Sequence, residues 1–120
     1  MCMNNKYEIL EESLLLAVDA LKDQAKDQTT MMIADLFKSA ILKKYKDAFD
    51  EELTKGEVQK KNIDKSVEFC YTDICVAIRQ YPTMRDDEKD DLIQKGKELL
   101  PTIKSFVTQI LLDKGVKISY

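Results

Sequence analysis

Histidine is absent from this chain, so its carboxylates and three cysteines are the residues best equipped for chemistry. Asp86-Asp87-Glu88 is followed closely by Asp90-Asp91. Hard cations such as Mg²⁺ and Ca²⁺ take oxygen ligands of this kind. The run lacks the alternating ligands and central glycine of a calcium-binding helix–loop–helix, however. It falls where a helix would begin, and there acidic side chains offset the positive end of the helix dipole. A cysteine nucleophile needs a neighbouring cation or a helix N-terminus to form the thiolate. Cys70 and Cys75 fall mid-helix, pointing about 140° apart around it. They are expected to pack as small apolar residues and not to bridge.

Two further clusters define alternative chemistries. Glu8, Glu11 and Glu12, with Asp47, Asp50, Glu51 and Glu52, would suit a Mg²⁺-dependent all-α hydrolase. All-α nucleotide pyrophosphohydrolases hold Mg²⁺ with paired acidic motifs on adjacent helices. Here Glu8-x-x-Glu11 has no matching acidic pair on the following helix, and a lone pair of this spacing is ordinary on an exposed helix. A ferritin-like di-iron site requires Glu-x-x-His motifs, which this composition forbids. Lys43, Lys44, Lys46, Lys55, Lys60, Lys61 and Lys65 could touch phosphates, giving a nucleic-acid-binding alternative over Lys43–Lys65. Acidic neighbours cancel most of that field, and no glycine-rich phosphate loop accompanies it.

What positions these residues is helical throughout. The 120 residues carry 44% apolar and 34% charged side chains, the mixture of a folded domain. Three glycines and two prolines are too few for a turn-rich β fold. The net charge of −3 argues against nucleic acid or an anionic membrane as main partner. No secretory signal or membrane-length apolar run is seen, so a cytoplasmic protein is expected, with no cofactor.

Helical spacing predicts four elements. Helix 1 covers about Asn5 to Lys26, with Tyr7, Leu10, Leu14, Ala17, Val18, Leu21 and Ala25 as its stripe. Asp27-Gln28-Thr29-Thr30 offers N-cap candidates, although one long helix through this point is the alternative. Helix 2 covers about Thr30 to Lys55, with Ile33, Leu36, Phe37, Ala40, Ile41 and Ala48 inward and Gly56 as C-cap. Helix 3 covers about Asn62 to Tyr81, or from as early as Glu57, burying Ile63, Val67, Cys70, Ile74, Ala77, Ile78 and Tyr81. A strand over Phe69 to Ile78 competes, but length and spacing favour helix. Pro82 stops helix 3 and Thr83 caps helix 4. Helix 4 runs to about Asp113, buries Leu92, Gly96, Leu99, Ile103, Phe106, Val107 and Ile110, and ends at Gly115. Pro101 inside it predicts a kink, and the tail Val116 to Tyr120 packs or frays. The expectation is one domain over residues 1–120: an all-α, antiparallel up-down four-helix bundle.

Surplus apolar surface is the main functional clue. Ile9 and Leu16 fall opposite the helix 1 stripe, and Met31, Leu42, Phe49 and Leu53 form a second face on helix 2. Val58, Phe69 and Val76 do so on helix 3, whereas helix 4 keeps a polar side of Lys89, Asp90, Lys97, Lys104 and Thr108, apart from Leu112. A helix in a lone bundle needs one stripe. Ile9, Leu16, Met31, Leu42, Phe49, Leu53, Phe69 and Val76 are therefore expected to form a partner interface. That pattern reads as a non-enzymatic adaptor, inhibitor or immunity-type interaction module, self-associating through helix 2 or binding another protein.

Overall fold

Asp27 decides how the chain begins to fold. In the computed structural model, which describes the backbone of residues 6–44 and 57–120 and the side chains of 12–41 and 57–120, Asp27 separates two helices. Its Oδ2 accepts the backbone N–H of Thr30 at 3.1 Å and its Oδ1 accepts the Thr30 hydroxyl at 2.6 Å. These bonds satisfy donors that a new helix leaves open. Helix α1 therefore spans Lys6–Gln24 and α2 spans Gln28–Lys44, which rules out one continuous helix. The helix 2 residues beyond Lys44, with Ala48 and Gly56, lie outside the described residues.

Strand β1, Glu57–Gln59, comes next, then α3, Lys60–Arg79, and α4, Asp86–Asp113, and the chain closes with β2, Lys117–Ser119. The two strands pair in parallel, with Glu57 opposite Lys117, Val58 opposite Ile118 and Gln59 opposite Ser119. They correct one expectation and decide another. Val58 belongs to the core and not to an outer face, being only 1% exposed. The tail is a strand, because alternate residues of an extended segment can bury one side while its backbone pairs with a neighbour.

The structure is mostly helical. α1 packs on α2 and α4, α3 packs on α2 and α4, and α2 also touches α4. Leu14, Ala17, Val18 and Leu21 of α1 meet Ile33, Ala34, Phe37, Ala40 and Ile41 of α2 in one core. Ile63, Val67, Cys70, Ile74 and Ile78 of α3, and Leu92, Ile103, Val107 and Leu111 of α4, complete it. Phe69 to Ile78 is helical, as the three-four spacing requires.

The ends of α4 follow different rules. Its N-cap is Arg85 and not Thr83. Glu88 Oε1 accepts the Arg85 backbone N–H at 3.2 Å, so the acidic first turn caps the helix from inside. At the far end Gly115 adopts φ 84°, while Val116 N–H donates to the Leu111 carbonyl at 3.0 Å and Gly115 N–H to that of Leu112 at 2.9 Å. This is the left-handed helix stop that glycine permits. Pro101 is exposed within the continuous helix, and the Lys97 carbonyl that it cannot serve as donor belongs to an exposed residue. Thr108, expected on the polar side, is buried and donates its hydroxyl to the Lys104 carbonyl at 2.9 Å. That local bond removes the cost of burying it.

Gly96 brings α4 close to α3. A Cβ there would lie 3.1 Å from Cε1 of Tyr71 and 3.5 Å from Cδ1 of Ile33. The Tyr71 hydroxyl reaches across to donate to the Ile93 carbonyl at 2.9 Å.

Three substitutions test this packing and the Asp27 cap. Gly96→Ala gains helix propensity of up to ~1 kcal/mol and loses a similar amount to crowding, leaving the urea midpoint nearly unchanged. Gly96→Val displaces the Tyr71 ring and lowers stability by about 1–3 kcal/mol in the same assay. Asp27→Ala lowers Tm near neutral pH. Thr30's hydroxyl and backbone N–H hold the Asp27 carboxyl below its ordinary pKa. The cap's contribution is therefore present above the unfolded pKa and fades as pH falls through the depressed folded value. Thermal scans of the two proteins converge in acid.

Candidate interaction surface

An apolar side chain left uncovered at the surface is the simplest mark of a contact site, and the larger the contiguous area the stronger the mark. Phe69 and Val76 lie two turns apart on α3, 58% and 51% exposed. Leu16 on α1 is 42% exposed. These three follow their expected outward positions. Met31 is half-buried. The side chains of Ile9 and Leu42, and Phe49 and Leu53 altogether, lie outside the described residues. The predicted residues do not converge on one patch: Leu16 belongs to α1, which packs on α2 and α4, whereas Phe69 and Val76 belong to α3.

An apolar concavity adds to this surface. It is a cavity of about 490 Å³ between α2, α3 and the start of α4. Met32 and Leu36 of α2, Ile78 of α3, Met84 of the turn and Leu92 of α4 form its apolar lining, with Tyr81 at the edge. Ser39 and Ala77 are its small wall residues and Asp35 its charged one. A second hollow of about 210 Å³ shares Met32, Met84 and Leu92 and adds Thr29, Glu88 and Asp91.

Tyr81 and Ala77 were expected inside helix 3, but both are exposed, Tyr81 by 54%. The reason is where α3 ends. It stops at Arg79, so Tyr81 is no longer on the helical stripe and swings to the rim. Leu36, also expected inward, is half-buried in the same place. Helical spacing counted these residues as core. A groove lining uses the same residue types at the same spacing, so the signal alone does not separate them.

Ion pairs frame this surface. Lys22 Nζ meets Asp35 Oδ1 at 2.9 Å, Arg85 Nε meets Glu88 Oε1 at 3.2 Å, and Arg79 meets Asp90 at 2.8 Å. All are solvent-exposed pairs of small energetic weight. Asp91 makes no ion pair among the described residues.

The other chemical groups are set for packing. Cys70 and Cys75 are both free thiols; Cys70 is buried and Cys75 half-buried. Burial, with the Asp73 carboxylate adding to it, pushes the Cys70 thiol up to about 11. Burial, then the hydrogen bond to Cys75 and its charge, pushes the Tyr71 phenol up to about 12. Among the described residues no three histidine, cysteine or carboxylate side chains gather as metal ligands. No helix among them is long and apolar enough to cross a membrane. Comparison with protein-family models, curated proteins and solved structures found no match.

The Cys70 shift carries a pH dependence. The folded state holds its proton more tightly than the unfolded chain, whose thiol titrates near 9.0. The stabilisation is therefore complete below pH 9 and is lost as pH rises through the folded value, a difference on the order of 2–3 kcal/mol. Chemical denaturation of the wild type is expected to weaken over that alkaline window, and Cys70→Ala to flatten the decline. A neutral-pH thiol reagent should label Cys70 only after unfolding.

Proposed function

We propose that this protein is a non-enzymatic protein–protein interaction module, built as an antiparallel up-down bundle with its last helix kinked near Pro101. The up-down course is supported by the residue pairs between α3 and α4: Arg79 with Asp90, Glu68 with Lys104 and, in the flanking strands, Glu57 with Lys117. The observation that carries the functional reading is the exposure of Phe69 and Val76 on one face of α3. Two large apolar side chains more than half in water cost the isolated molecule the burial that a partner would supply, about 25 cal/mol for each Å² covered.

Self-association through α2 is the first form of this reading. Met31 and Leu42 share a register on α2, three turns apart, and a symmetric dimer uses one patch twice. The chain would act by apolar anchoring, with flanking Lys, Asp and Glu setting register.

Light scattering over a concentration series tests the dimer. The wild type is expected to approach twice the monomer mass, and Leu42→Asp to remain monomeric with unchanged helical content. A wild type that stays monomeric at millimolar concentration removes self-association. A Phe69→Asp, Val76→Asp double variant that dimerises as the wild type does confines the dimer contact to a face other than that of α3.

A further inference from the structure

We propose that the groove between α2, α3 and the start of α4 receives a basic amphipathic helix from another protein. This deepens the interaction reading and rests on it, by naming the partner's chemistry and the place where it docks. The first argument is shape. The cavity, about 490 Å³, has the size of a ligand pocket and is lined by residues of α2, α3 and α4. A helix laid in such a groove delivers apolar anchors at three-four spacing. Ser39 and Ala77 keep the walls low where that helix would pass.

The second argument is the lining. Met32 and Met84 are unbranched and polarizable, so they adapt to an anchor's contour better than branched side chains do. Leu36, Ile78 and Leu92 give that anchor an apolar bed. Met32 is 38% exposed although it is apolar, so part of the bed already faces water.

The third argument is charge. The charged residues lining the main cavity and the adjoining hollow are Asp35, Glu88 and Asp91, all carboxylates. An apolar bed with a net negative rim favours apolar anchors flanked by Lys or Arg over an acidic peptide, a nucleic acid or an anionic lipid surface. Lys22 and Arg85 already neighbour two of these carboxylates. Their pairs are exposed, so an incoming cation can replace either at little cost.

Fluorescence anisotropy with three synthetic labelled peptides tests the assignment on the full-length protein. One carries leucines at three-four spacing among lysines, the second replaces each lysine with glutamate, and the third scrambles the first. The basic amphipathic peptide is expected to bind saturably, more weakly as salt rises, and at least tenfold more tightly than the other two. Met32→Gln with Met84→Gln, and separately Asp35→Asn with Glu88→Gln and Asp91→Asn, are each expected to weaken it about tenfold, the loss of roughly 1.4 kcal/mol. In wild-type protein with ¹³C-methyl methionine, the Met32 and Met84 resonances should move on titration, which needs no variant to fold.

Equal binding of the scrambled peptide, or of the acidic one, overturns the proposal, as do unmoved Met32 and Met84 signals at saturation. Absence of peptide binding in a protein that dimerises through Leu42 overturns the groove assignment alone. A monomeric protein that binds the basic peptide through Met32 and Met84 overturns self-association and leaves the groove standing.

Discussion

The close passage of Tyr71 over Gly96 governs how the bundle is put together. A Cβ on residue 96 would lie 3.1 Å from the ring, and the ring's hydroxyl donates to the Ile93 carbonyl. Ile33 of α2 touches the same spot. Three helices thus share one contact, and the spacing of α3 from α4 is set by a missing Cβ. Packing at native density transmits such a constraint outward, because a core has little free volume to absorb misfit. Ile74, Ile78 and Leu92 are buried on the facing sides of these two helices.

The groove is the other side of the same geometry. α3 stops at Arg79 and α4 starts at Asp86, so the turn between them supplies Met84 and Tyr81 as edge residues and not as core filling. Near this turn α2 presents Met32 and Leu36 to a gap, whereas Ile33 and Phe37 on its neighbouring face are fully packed. The result is a bundle sealed through its middle and open at one end, with acidic residues around the opening. The dipole-matching carboxylates of the α4 first turn therefore contribute twice. Glu88 caps the helix and also charges the rim, where Asp91 of the following turn joins it.

Much of this architecture was readable from spacing. Ile63, Val67, Cys70, Ile74 and Ile78 recur at helical intervals and are all buried, and Gly115 marks the end of α4 through the one backbone conformation other residues avoid. Three features escaped for physical reasons. Val58 and Ile118 are single apolar residues in three-residue strands, too short for any period to register. The cap at Arg85 comes from Glu88 reaching backward, while residue preferences for caps pointed to Thr83. The groove was hidden because Leu36, Ala77 and Tyr81 look like core in one dimension, although Leu36 and Ala77 line a gap between helices and Tyr81 lies past the end of α3. Leu16, Phe69 and Val76 were legible as outward-facing because each falls nearly opposite a well-populated stripe.

The parallel strand pair carries a consequence for the order in which the chain assembles. Glu57 and Lys117 stand about 60 positions apart, and both long helices α3 and α4 lie between them. Contacts of such separation repay the entropy of closing their loop only once the intervening chain has condensed. The ladder is expected to close after α3 and α4 have packed together. Its three rungs give it little resistance of its own, so its amide hydrogens should trade with solvent well before those at the centre of the helices, through openings that leave the rest of the bundle intact.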